Sequence, residues 1–166
     1  QFRRFLALLE GFALPTFVCP GNHDRGGARY EGFFGPLTYG FRYGPDGYLC
    51  FDTKDYRIAG EWGTQDADIQ VLRRAAKPCR WTIGATHRYD PSMGMRSQIA
   101  LFVDDPIDHL LVGHEHRANR EDERAVPWGT TPLTMTPAAV DGWYRLVLVS
   151  DAGVKPMAPA KATPAP

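Results

Sequence analysis

The sequence lacks several features that would narrow its function at once. It has no net charge, since 19 basic and 19 acidic side chains cancel; no global field draws it to nucleic acid or to an anionic membrane. It has only three cysteines, Cys19, Cys50 and Cys79. An odd number with no C-x-x-C pair argues against a disulfide framework. Cys19 and Cys50 fall in apolar, strand-like runs, which suits buried, inert thiols and favours a reducing, cytoplasmic setting. No run approaches the ~18 apolar residues that a membrane-spanning helix requires, and no signal-peptide pattern occurs. Nor is there an initiator methionine: "QFRRFLALLE" opens the chain already in helical rhythm, so the natural N-terminus is expected upstream.

What is present is a chain of 166 residues, enough for one hydrophobic core burying roughly 70% of the unfolded surface. Helix and strand patterns alternate. Phe2, Phe5, Leu6 and Leu9 recur at helical spacing, with Gly11 as a stop. "LPTFVC" (14–19) reads as a strand feeding the turn "PGNHDR". "FRYGPDGYLCF" reads as a hairpin turning at Pro45-Asp46-Gly47. Thr64 caps a helix whose charges, Asp66 and Asp68 early and Arg73, Arg74 and Lys77 late, suit its dipole before Pro78 ends it. "RWTIGA" (80–85) and "IDHLLVG" (107–113) are strands, with "SQIALFV" (97–103) a short helix between them. "PLTMT" and "WYRLVLVSDAGV" close the pattern as two strands. The division expected is one domain over 1–154 and a Pro/Ala-rich, disordered tail or linker over 155–166.

The histidines fall where such a fold places ligands. In sheets with crossover connections, binding groups collect in the loops beyond the carboxyl ends of the strands. His23 follows "TFVC", His87 follows "WTIGA", and His114 and His116 follow "HLLV". His109, inside a strand, reads as a structural histidine. Neutral imidazole is a good donor to divalent transition metals, and His114 and His116, two apart in a turn, can face different ions. Asn22 adds a carbonyl oxygen. An Asn-His-Asp turn alone is ordinary turn chemistry. Joined to G-H-x-H after another strand and a strand-terminal histidine between them, it suggests a two-metal site.

These motifs resemble the calcineurin-like metallophosphoesterase superfamily over nearly the whole chain. "GNHD" is similar to its G-N-H-D/E motif, "ATHR" to its single strand-terminal histidine, and "GHEH" to its G-H-x-H. The resemblance implies an α/β/β/α sandwich of metallophosphoesterase type and a binuclear centre of two divalent or trivalent ions (Mn, Fe, Zn or Mg). Asn22, His87 and His114 would hold one metal and His116 the other. His23 would act on the substrate as general acid or stabiliser, oriented by Asp24. Arg25, Arg88 and Arg117 each follow a motif residue and are candidates to bind the substrate phosphate.

Two of the family's motifs, D-x-H and G-D-x-x-D, occur nowhere in the chain. They supply ligands of the first metal and the aspartate that bridges both. The expectation is therefore a domain lacking its N-terminal strands, whose intact parent hydrolyses phosphate mono- or diesters while this portion alone is inactive. The rival readings are a protein-interaction scaffold on the same fold, against which the pairing of His23 with Asp24 argues, and a mononuclear zinc hydrolase, for which Asn22 is an unusual ligand. The partner expected is a phosphate ester, with no nucleic-acid patch and no membrane segment.

Overall fold

The computed structural model describes residues 1–24, 29–51, 78–89, 101–116, 129–163 and the backbone of 123–125. The helix expected at 64–77 and most of the one at 97–103 lie outside the described residues.

The N-terminal helical rhythm forms α1 (Phe2–Leu9). None of its residues is buried; its apolar stripe instead packs by ring edges on a second short helix, α2 (Arg29–Phe34). Phe2 lies 6.0 Å from Tyr30, 5.6 Å from Phe33 and 5.1 Å from Phe34, and Phe5 lies 5.8 Å from Phe34, all T-shaped. Such contacts suit the aromatic quadrupole and fix the crossing of the two helices.

The sheet begins with a hairpin of β1 (Tyr39–Tyr43) and β2 (Asp46–Cys50). The register Tyr43↔Asp46 puts the turn at Gly44-Pro45, earlier than the sequence pattern indicated. Gly44 takes φ +58°, and a positive φ at the first of two loop residues matches the right-handed twist of a hairpin. Asp46 is thereby freed to act as a strand residue. It is 4% exposed, and both its oxygens accept from Arg80, at 3.0 Å from Nε and 2.7 Å from Nη2.

β3 (Thr82–Thr86) and β4 (His109–Val112) follow, then β5 (Glu123–Ala125) and β6 (Pro132–Met135). They complete a mixed six-stranded sheet in the order β1-β2-β3-β4-β6-β5. The ladders β2·β3, β3·β4 and β4·β6 are parallel, while β1·β2 and β5·β6 are antiparallel. Central parallel strands are covered on both faces, so β2, β3 and β4 read as near-continuous apolar runs and are buried almost throughout. Leu49, Phe51, Phe102, Ile107, Leu110 and Leu133 form the middle of the core. His109 is structural as expected: it is buried, with Nε2 2.8 Å from the Thr134 hydroxyl on β6.

Three expectations are corrected. "LPTFVC" joins no ladder among the described residues; residues 15–20 take no regular secondary structure. A strand needs a neighbour to present backbone groups, and here a side chain does so instead. The Tyr39 hydroxyl donates to Val18 O at 2.8 Å and accepts from Val18 N–H at 3.0 Å. "WYRLVLVSDAGV" is not one strand but β7 (Trp143–Tyr144) and a hairpin of β8 (Val147–Ser150) with β9 (Gly153–Pro156). Its period-2 apolar set faces outward, Tyr144, Leu146 and Leu148 being 45%, 65% and 57% exposed. The break falls at Arg145, whose guanidinium donates to the Met135 and Met157 carbonyls and so ties this segment to the main sheet. Finally, the tail is ordered through residue 163: β10 (Ala160–Lys161) pairs antiparallel with β7, and Lys161 lies over the Trp143 ring. A short ladder and a cation–π contact offset the weak core-forming composition.

The turn of the C-terminal hairpin is fastened to the sheet as well. Arg80 reaches Asp151 as well as Asp46, and Trp81 Nε1 donates to Ser150 O at 2.8 Å.

Candidate metal centre

Parallel pairing carries β3 and β4 to the same edge of the sheet. The register Thr86↔Val112 is the last of that ladder, and one further bond, Gly113 N–H to His87 O at 3.1 Å, holds the two chains together beyond it. His87 therefore leaves β3 beside the point where the chain leaves β4. His114 then adopts φ +74°, the only non-glycine residue with positive φ among the described residues. That conformation is unfavourable for a side chain with a Cβ and concentrates at functional sites. Its effect here is concrete: the His114 ring turns back toward His87, bringing Nδ1 to 3.0 Å from His87 Nε2.

The third donor comes from the loop before α2. Asn22 Oδ1 lies 2.9 Å from the same His87 Nε2. That loop is closed by Asp24, whose carboxylate accepts from Gly21 N–H at 2.8 Å while its own N–H donates to Gly21 O at 3.1 Å. Asp24 thus shapes the turn that presents Asn22 and His23 by bonding the backbone rather than the His23 ring. Gly21 is required for a different reason: the His87 ring lies against it. A Cβ there would stand 3.4 Å from His87 Cγ and Cε1 and 3.0 Å from Asp24 Oδ2. Cys19 anchors the approach to the loop, its thiol donating to Ala85 O on β3 at 3.3 Å.

Burial holds the His114 imidazole below the usual histidine range, and positive charge on Arg88, His116 and His23 pushes the same way against Glu115. A histidine kept neutral is a histidine ready to ligate. The fit to a cation can be judged from the donors themselves. A neutral His87 ring carries one proton, yet its Nε2 faces two acceptor-capable atoms, Asn22 Oδ1 and His114 Nδ1. One proton serves such a triangle poorly, whereas a cation serves all three lone pairs. Donors at right angles about a six-coordinate ion with ~2.1 Å bonds lie about 3.0 Å apart; around a tetrahedral zinc the separation is about 3.4 Å. The observed spacings of 2.9 and 3.0 Å are also ordinary hydrogen-bond lengths, and they are short enough for neighbouring donors to share one ion.

Of the residues singled out from the sequence, the structure brings together Asn22, His87 and His114. His23 and His116 are exposed beside them, close enough to act electrostatically on His114. Arg88 is half-buried directly after His87 and acts on the same ring. Arg25 and Arg117 lie outside the described residues. Among the described residues no group of three or more His, Cys, Asp and Glu side chains encloses an ion; the triangle is two imidazoles and an amide. Sequence reasoning missed the supporting roles of Gly21 and Tyr39. Gly21 stood within the G-N-H-D motif, but its purpose depends on a ring 66 positions away, and nothing in "LTYGF" marks Tyr39 as the clamp on Val18.

A cavity of about 630 Å³ opens beside His23 and Asp24, bounded by α1 and α2. Among the described residues no helix is long and apolar enough to cross a membrane.

Comparison with known proteins identifies a family. The family model for calcineurin-like phosphoesterases matches residues 1–118, a span that includes all three donors. No curated protein matches the chain.

Proposed function

Since the chain belongs to the calcineurin-like phosphoesterase family, we propose that it contributes the histidine-rich half of a metal-dependent phosphoester hydrolase. The observation that carries this reading is the convergence of Asn22 Oδ1 and His114 Nδ1 on His87 Nε2 at 2.9 and 3.0 Å. Asn22, His87 and His114 hold one divalent ion, and His116 is a donor to a second. When bound, two such ions neutralise charge on the phosphate and lower the pKa of the attacking water.

The chain's own groups do the rest. His23 stands exposed at the cavity mouth, where it can give a proton to the departing alkoxide as general acid. Asp24 holds the turn that fixes His23 relative to Asn22. Arg88, next to His87, offers a guanidinium to the phosphate oxygens. The carboxylate donors in the family's D-x-H and G-D-x-x-D pattern are not among residues 1–166, so these residues by themselves hold one ion, and turnover requires those donors as well.

The test is metal analysis beside hydrolysis of 4-nitrophenyl phosphate and bis(4-nitrophenyl) phosphate. It is performed on residues 1–166 alone and together with a segment carrying the two carboxylate motifs. One equivalent of metal without turnover is expected for the former, and two equivalents with turnover for the latter. Metal-free protein in both cases would favour an interaction scaffold. Binuclear content and turnover in residues 1–166 alone would show that the ligands are misassigned.

A further inference from the structure

The cavity beside His23 is chemically particular. Its walls carry Phe2 and Arg3 from α1, Arg29 and Phe33 from α2, and His23 and Asp24 from the loop. Its volume of about 630 Å³ lies within the roughly 300–1,000 Å³ of small-molecule sites. Among the described residues neither Arg3 nor Arg29 is ion-paired. Asp24, the one carboxylate among the described lining residues, has an oxygen already engaged by the Gly21 amide. Both guanidiniums are exposed to solvent on the walls of one cavity, and guanidinium is well suited to carboxylate and phosphate. The geometry is not accidental to one mobile side chain, because the ring contacts of Phe2 and Phe5 with α2 hold the two helices that carry the arginines.

We propose that this cavity receives the leaving-group portion of the substrate, and that this portion is an alcohol bearing both an aromatic ring and an anionic group. The inference rests on the phosphoesterase reading for its place in the reaction, since His23 lines the cavity and links it to the donor triangle through the adjacent Asn22. Phe2 and Phe33 supply apolar walls for the ring, and Arg3 and Arg29 take the anion, a carboxylate or a second phosphate. Selectivity of this kind comes from the charge-assisted bonds that an anionic ligand alone can make with the two guanidiniums.

Equilibrium binding tests this without requiring turnover. The probes are 4-hydroxyphenylacetate, (4-hydroxybenzyl)phosphonate and the neutral tyrosol, titrated into metal-free residues 1–166 and followed by ligand-observed NMR at low salt. At least one anion should bind about tenfold more tightly than tyrosol, and the tighter of the two identifies carboxylate or phosphate as the preferred group. In Arg3→Gln and Arg29→Gln that preference should fall several-fold, and in the double variant it should vanish; rising salt should weaken it in the unaltered chain. Equal binding of all three probes, or a preference that survives the double variant, overturns the assignment. The absence of metal separates the outcomes: a chain that binds these anions but never hydrolyses a phosphate ester refutes the reaction and not the cavity.

Discussion

His87 and His114 meet edge to face, with ring centroids 5.0 Å apart, although 27 positions separate them in the sequence. Neither ring is placed by its neighbours in sequence alone. The β3·β4 ladder sets their separation, and the left-handed backbone at His114 sets the angle. Removing either ring should therefore differ in kind from removing His23, which is not one of the three donors.

His114→Ala and His87→Ala should lose bound metal, measured by elemental analysis after dialysis. His23→Ala should keep it. In the protein complete in its carboxylate donors, His23→Ala should lower kcat by about 10²–10⁴-fold, most for poor leaving groups. A metal-free His23→Ala protein would contradict the division of roles.

Gly21→Ala probes the packing under the ring. The added methyl, 3.0 Å from Asp24 Oδ2 and in contact with His87 Cγ and Cε1 at 3.4 Å, presses on the carboxylate that closes the turn and fills the space against the imidazole. Metal affinity should drop about tenfold, as for other changes to groups that support a ligand, with little change in the thermal midpoint. Competition against a chromophoric chelator reads this directly, and an unaltered Kd would show that the ring has room to adjust.

Tyr39→Phe removes one hydroxyl that serves both backbone groups of Val18. Leaving those groups without their partner costs roughly 1–3 kcal/mol, visible as a lower urea midpoint. Amide exchange at Val18 should quicken more than in the β3 strand. Equal acceleration everywhere would mean that the hydroxyl stabilises the fold globally and not this segment.

Much of this arrangement was legible in the sequence, for physical reasons. The stripe of Phe2, Phe5, Leu6 and Leu9 and the buried runs of β3 and β4 are patterns that local chain geometry imposes on any core. His87 and His114 were legible because each follows a strand of the parallel sheet, where ligands collect, whereas Asn22 follows an unpaired segment and was marked by its motif. The failures share a cause as well. Whether "LPTFVC" pairs depends on what lies beside it, and the neighbour is a tyrosine hydroxyl. The order in residues 160–161 comes from β7, which composition does not reveal. Turn position in the hairpin was misjudged because Asp46 looks like a turn residue, yet its carboxylate is committed to Arg80.

That commitment has a pH signature. Hydrogen bonding from Arg80 holds the Asp46 carboxyl below its ordinary 3.8, against the opposing effect of burial. A depressed folded-state pKa means that the stabilisation is complete above the unfolded value and is lost as pH falls through the folded one. Asp46→Asn should therefore be less stable than the parent at pH 7, by roughly 1–2 kcal/mol. The gap should begin to close below about pH 4, where the unfolded chain's carboxylate protonates, and shrink further as pH falls through the lower folded-state value. Parallel stability curves down to pH 2 would refute the assignment of this pair.

The three parallel ladders also govern when the donor triangle comes into being. A parallel pair cannot form by a local turn; its crossover must be closed first, here residues 51–81, 87–108 and 113–131. Such closures are paid for before their contacts form, which slows folding. Asn22, His87 and His114 are strangers in the unfolded chain and become neighbours only when β3 has found β4 and the Val18 segment has settled on Tyr39. On the proposed reading, metal capture would consequently be a late event that reports assembly of the centre of the sheet, and an ion present from the start would have no preformed nucleus to seed.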